Sequence, residues 1–295
     1  MKIPHARPRM AENPKQSVLV RMGGEISMPV ERIVSLVPSL TESIFKLGAG
    51  KKLCGRTEFC TQPEGEVEGI KTLGGPKSID GDRIMKLAPN VILASREENE
   101  KDQIMHLLSK IPVLLVDPAS PEDAPLIWRA LGALVGESQK AETLACEVEK
   151  ELQTTKSLTD ERNEKGPRFI YFVWKKPWMA AGHDTYISRT LALAGFQNAL
   201  PDEHRRFPEL SDEELHACDA DVHLFGSEPW AFYLPEDLLI KNEAGFAELE
   251  KSIFRVEEGP ISTLVNSESI SWYPSRAAEG LRYVRELREK MSKFC

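Results

Sequence analysis

Short apolar runs alternate along this chain with stretches of helical spacing. Arg32 to Val37 (RIVSLV) reads as a buried strand that Pro38 ends. Ser39 with Glu42 three positions on fits a capping box, so a helix is expected to open at Ser39 and close at Gly48. Lys52 to Gly55 reads as a short strand. Asp80 caps a helix that Pro89 stops, and Asn90 to Ser95 (NVILAS) is a strand. Glu97 to Lys110 places Ile104, Leu107 and Leu108 on one helical face, and Val113 to Asp117 is again a strand. Ahead of these, apolar runs flank Gly23-Gly24 within 16–29, which is a hairpin signature. The β-α-β-α-β order implies a largely parallel sheet with helices over its faces.

Pro121 to Glu164 breaks the rhythm. Leu126, Ala130, Leu131, Leu134 and Val135 form one stripe, Gly136 is a stop signal, and Ala141, Leu144, Ala145, Val148 and Leu152 continue the helical spacing. A long helix joining two lobes is the reading. Alternation resumes with a strand over Phe169 to Trp174, a helix over Tyr186 to Ala194 closed by Gly195, and a second capping box at Ser211 and Glu214. A strand over Val222 to Phe225, a helix over Glu236 to Lys251, a strand over Ile253 to Val256 and a helix from Pro274 to Lys293 follow. The expected organisation is a tail at 1–16, an N-terminal α/β lobe at 17–120, a connecting helix at 121–164 and a C-terminal α/β lobe at 165–295. A length of 295 residues is near the size at which one core gives way to two.

Charge narrows the function classes. The net charge of −8 leaves no basic footprint for nucleic acid. No apolar run approaches the roughly 18 residues of a membrane-spanning helix. The N-terminal stretch is basic without an apolar core behind it, which by itself favours a cytoplasmic chain. The five cysteines, Cys54, Cys60, Cys146, Cys218 and Cys295, are irregularly spaced and read as reduced thiols. The chain is read as a monomer.

In alternating α/β sheets, ligands bind beyond the carboxyl ends of the strands. The segments expected there carry Ser39, Arg56, Phe59, Arg96, Trp174, Trp178, His183, Glu228, Trp230, Trp272, Tyr273 and Arg276, and Lys77, in the Gly74-Gly75-Pro76-Lys77 turn, is a further ligand-binding candidate. Four of the five tryptophans fall in or beside these loops, and only Trp128 sits on a helix. Aromatic faces beside Arg56, Arg96, Lys175 and Arg276 suit a large flat ligand with acidic edges. No dinucleotide, Walker, GxSxG or HExxH motif is present, so no catalytic residue and no required cofactor is assigned. An enzyme on this architecture would have to use His183, Asp184, Glu228 and Glu58. His216, Cys218 and His223, with Asp219 and Asp221 among them, lack metal-ligand spacing, and no metal site is assigned.

RIVSLVPSLTE, GRTEFC, LGGPK and LAPNVIL resemble the N-lobe of the cobalamin and ferric-siderophore class of ABC-transporter binding proteins. KPWMAAGHDTYI, FPELSDEEL, DADVHLFGSEPW and SWYPSR resemble their second lobe. The resemblance implies two Rossmann-like α/β lobes joined by a long rigid helix, the class III periplasmic-binding-protein fold. It implies capture of a corrinoid, haem or other metal chelate in the cleft between lobes, a periplasmic location and delivery to an ABC permease. The docking acids would be Asp82 and Glu213. Pro76 and Ser95 stand where cobalamin binders of this class carry aromatics, whereas Trp178 and Phe207 retain theirs. A chelatase-like or metallocluster-handling enzyme and a bare metal-ion receptor are the alternatives.

Overall fold

The computed structural model describes residues 18–22, 25–26, 28–75, 78–162, 164–201, 206–232, 246–250, 253–256 and 259–294. They divide into two compact units, one within 1–118 and 126–142, the other within 119–125 and 143–295.

The first unit contains β1 (Leu19–Met22), β2 (Ile33–Ser35), β3 (Leu53–Arg56), β4 (Lys71–Thr72), β5 (Gly74–Gly75), β6 (Ser78–Ile79), β7 (Val91–Ser95) and β8 (Val113–Val116). Its sheet runs β1-β8-β7-β2-β3-β4, with β5 and β6 pairing apart from it. The central strands are parallel, and β1 alone is antiparallel, on β8. Every residue of β2 and β7 is buried, the continuous apolar signature of strands covered on both faces. Helices α1 (Pro38–Lys46), α2 (Gly81–Leu87) and α3 (Lys101–Leu108) alternate with them. Leu36, Leu73, Ile84, Ile92, Ile104 and Val113 form the core.

Three expectations are corrected here. The turn of the expected Gly23-Gly24 hairpin lies outside the described residues; β1 pairs with β8, and Glu25 and Ile26, where its second strand is expected, are not strand. The Ser39 capping box is absent. Pro38 occupies the first helical turn, so Val37 becomes the N-cap, without a side-chain cap. The third helix is shorter than Glu97 to Lys110, since Ser95 and Asn99 hold the preceding turn through an amide-to-carboxamide bond.

Where one long helix is expected over 121–164, a 3-10 turn at Pro121–Asp123 leads into α4 (Ala124–Val135) and then α5 (Ser138–Arg162). Gly136 adopts φ +84, a left-handed turn that ends α4. The division between units falls inside α5, after Glu142.

The second unit contains β9 (Arg168–Trp174), β10 (Trp178–Ala180), β11 (Gln197–Asn198), β12 (Glu209–Leu210), β13 (Val222–Gly226), β14 (Phe246–Glu250), β15 (Ile253–Val256) and β16 (Ile261–Val265). The order is β12-β10-β9-β13-β16-β15-β14, with β11 alongside β9. β9, β13 and β16 are parallel neighbours, so Trp174, Gly226 and Val265 end side by side. Helices α6 (Tyr186–Leu193), α7 (Asp212–Ala217), α8 (Ser267–Ser271) and α9 (Ala277–Met291) complete it. The Ser211 capping box is present.

The helix expected over Glu236 to Lys251 is corrected: 246–250 is strand β14, antiparallel to β15, and 236–245 lie outside the described residues. β16 and α8 escaped sequence reading, the first as a short run after Gly259-Pro260 and the second as a single helical turn. Phe169, Tyr171, Leu224, Ile261, Val284 and Leu287 form one core cluster.

Candidate functional site

At the carboxyl ends of β9, β13 and β16, three segments meet. Trp174, about a third exposed, sets its ring edge to that of Trp230, with centroids 4.8 Å apart and planes at 69°. Trp178 is half-buried: it packs edge-on to Phe172 at 5.1 Å, stacks on Phe232 at 6.3 Å and carries the Lys175 ammonium 5.4 Å over its ring. Trp174 thus presents indole surface to solvent, whereas Trp178 and Trp230 are half-buried and pack on the core.

The third segment is anchored. Trp272 is buried, and its indole N–H donates to the Glu228 carboxylate at 2.8 Å. The Arg276 guanidinium lies 4.7 Å over the same ring and pairs with Glu268 at 2.7 Å. Tyr273 is buried against Tyr186, 5.1 Å between centroids. Burial raises the Glu228 carboxyl above its ordinary value, and the Trp272 hydrogen bond opposes this.

His183 and Phe207 do not join that rim. The His183 Nε2 lies 2.7 Å from the Leu200 carbonyl, and Phe207 packs on the hydrophobic core. A pocket of about 390 Å³ opens nearby, lined by Leu200, Pro201, Leu210, Ala217, Cys218 and Arg168. Arg168 begins β9, so this pocket reaches the amino end of the strand, and its Leu210 wall is the strand partner of Trp178. Its walls also carry Glu214, whose carboxylate caps the Ser211 backbone, and burial raises the pKa of the Cys218 thiol beside them; the strand-end rim, with its aromatic faces, is the candidate for a flat ligand.

In the first unit, Phe59 follows β3 and is exposed, with Glu58 beside it. Arg56 donates to the carbonyls of Val67 at 3.0 Å and Thr57 at 3.1 Å, which ties it to the loop it begins. Arg96 pairs with Asp117 at 2.9 Å. The Ser39 hydroxyl is buried with no hydrogen-bond partner. Lys77 lies outside the described residues. The cations expected to meet acidic ligand edges are therefore largely engaged within the protein. An exposed pair such as Arg96–Asp117 contributes about 0.2–1 kcal/mol, less than burying an indole face.

The groups an enzyme would need are also engaged. Asp184 pairs with Arg189 at 2.6 Å, and Glu228 holds Trp272. His223 is buried against Phe172 and Phe225, and burial lowers its pKa to about 4, so the ring is neutral at pH 7. His216, on α7, is exposed and bonds the Asp212 carbonyl. Among the described residues, no three His, Cys, Asp or Glu side chains converge to hold a metal. Asp82 and Glu213 are exposed in the first turns of α2 and α7, where an acid also favours the helix dipole. Sequence reading missed Ser267 and Tyr171, which hold Glu228 from below; a buried serine and a strand tyrosine carry no local signal of that.

A sequence profile of the family described as "Periplasmic binding protein" matches residues 33–248. The vitamin B12-binding protein of Pectobacterium carotovorum subsp. carotovorum (strain PC1) is 24% identical over 200 residues, 68% of this chain and 72% of that one. The periplasmic vitamin B12 binding protein BtuF of Vibrio cholerae superposes with a TM-score of 0.70 at 17% identity, over 90% of this chain and 99% of that one. The periplasmic heme-binding protein RhuT from Roseiflexus sp. RS-1 gives a TM-score of 0.70 at 20% identity, covering 90% and 98%. At these identities the solved structures share the fold.

Proposed function

This chain belongs to the periplasmic binding protein family, and from that premise we propose that it captures a flat metal-chelate macrocycle, a corrinoid or haem, for an ABC importer. The observation that carries this is the Trp174–Trp230 pair beyond the ends of adjacent parallel strands, with Trp174 exposed and Trp230 half-buried beside it. Two indoles at an edge-to-face angle offer a broad apolar surface to a ring system, and each aromatic contact adds about 0.5–1.5 kcal/mol beyond area burial. Phe59 offers a further exposed ring on the first unit. The names of the relatives, vitamin B12-binding and heme-binding proteins, support this ligand class.

Capture needs no bond making. Apolar burial supplies most of the affinity, and polar groups at the rim set orientation. Asp82 and Glu213 are the acids we assign to a permease, and the location that goes with the role is periplasmic or otherwise extracytoplasmic. No helix among the described residues is long and apolar enough to cross a membrane.

Thermal unfolding with and without cyanocobalamin or hemin tests the reading. A ligand at a hundred times its Kd stabilises by about 2.7 kcal/mol, a rise of roughly 4 °C for a protein of this size. A shift with one of the two supports the proposal; no shift with either removes it.

A further inference from the structure

Below the tryptophan rim lies a hydrogen-bonded node that the ligand reading does not use. Ser267 opens α8 and is buried. Its hydroxyl lies 2.8 Å from the Tyr171 hydroxyl, accepts from the Glu228 backbone N–H at 3.1 Å and donates to the Glu228 carbonyl at 3.1 Å. A serine hydroxyl has one proton. That proton goes to the Glu228 carbonyl, so Tyr171 donates to Ser267, and burial keeps the Tyr171 hydroxyl protonated by pushing its pKa up. The Ser267 backbone N–H in turn donates to the Ser227 hydroxyl at 3.0 Å. Gly226 gives the node its room: a Cβ there would sit 2.6 Å from the Ser267 oxygen and 2.8 Å from the Tyr171 oxygen.

We propose that the Ser267 hydroxyl, oriented by Tyr171, is the positioning group for the segment 227–230, and through it for Trp230 and for the Glu228 carboxylate that fixes Trp272. A two-point grip on both backbone groups of Glu228 sets the direction in which the chain leaves β13. Trp230 lies two residues further on, and its edge contact with Trp174 depends on that direction. The Glu228 side chain leaves the same backbone and reaches the Trp272 indole. One hydroxyl therefore registers two tryptophans from separate loops. That these indoles meet ligand rests on the function proposed above.

The test uses the full chain with Tyr171→Phe and Ser267→Ala, and Thr190→Ala as control. Thr190 is a buried hydroxyl of the same unit whose bond to the Tyr186 carbonyl lies within α6. Tyr171→Phe keeps the core ring and removes only the donor. Near-ultraviolet circular dichroism reads the tryptophan arrangement without ligand, and titration with cyanocobalamin and with hemin reads affinity. Both test variants are expected to change the tryptophan bands. Kd for the probe that wild type binds is expected to rise about three- to tenfold, the scale of one hydrogen bond's worth of ordering. The control is expected to lose Tm with bands and Kd unchanged. If Tyr171→Phe and Ser267→Ala behave as the control does, the node is structural only and the proposal is overturned. If wild type binds neither probe, the ligand reading fails separately, and the dichroism decides: altered bands sustain the positioning role, unaltered bands overturn it.

Discussion

At the residue scale, the tryptophans fall into two groups that the sequence shows as one. Trp174 is exposed with the half-buried Trp230 against it, whereas Trp272 is enclosed by Glu228 and Arg276. Trp174→Ala is expected to weaken binding of the cognate chelate about tenfold, the loss of one aromatic contact and its burial, with Tm within a few degrees of wild type. Equilibrium titration beside thermal unfolding checks it. His223 gives a pH prediction. Its folded pKa of about 4 lies below the ordinary 6.5, so the unfolded chain takes up the proton first. Stability from this group is complete above about pH 6.5 and is lost as pH falls towards 4, roughly 3 kcal/mol in all. Urea unfolding at pH 7 and pH 4.5 should show that loss, and His223→Leu should flatten it. The aromatic loops could be read from the sequence because tryptophan is rare and loop signals bracket it. The pairing of Arg56, Arg96 and Arg276 could not, because Arg56 binds backbone carbonyls, which carry no sequence signal, and Asp117 and Glu268 lie on other segments of the chain than their arginines.

At the element scale, the parallel strands were legible because strands covered on both faces read as near-continuous apolar runs, as Val91 to Ala94 does. What misled was local chemistry with two outcomes. Ser39 and Glu42 have capping-box spacing, yet Pro38 cannot donate a backbone N–H and fits the first helical turn, which moves the start back. Phe246 to Glu250 has helical composition but lies along β15, and tertiary pairing overrides weak propensity. The corner between α4 and α5 depends on Gly132, where a Cβ would fall onto the Cβ of Ala141. Gly132→Ala is expected to destabilise the first unit by about 1–3 kcal/mol through overpacking, despite alanine's better helix propensity. A lower urea midpoint at unchanged slope is the expected result. In the second unit, Glu151 on α5 receives Arg285 at 2.7 Å and Arg282 at 2.9 Å from α9. Burial acts to raise its carboxyl pKa, but the two guanidiniums outweigh that and hold it below the ordinary value. Its contribution is therefore present above the ordinary carboxylate range and lost on acidification below it.

At the scale of the whole molecule, two α/β units and the match over residues 33–248 make this chain a periplasmic binding protein, as its motifs led one to expect. Asp82 on one unit and Glu213 on the other are exposed acids, the charges through which the permease contact proposed above would be made. Charge reversal, Asp82→Lys with Glu213→Lys, is expected to abolish stimulation of the partner permease's ATPase while leaving chelate affinity unchanged; a vesicle-reconstituted assay reads the first and titration the second. The most direct measurement of the central claim is spectrophotometric titration of the intact chain with cyanocobalamin and with hemin, read beside the Trp174→Ala, Trp230→Ala double variant. The account predicts one-to-one saturation by one of the two chelates and loss of most of that affinity in the double variant. A chain that binds neither, or a double variant that binds as tightly as wild type, would contradict it.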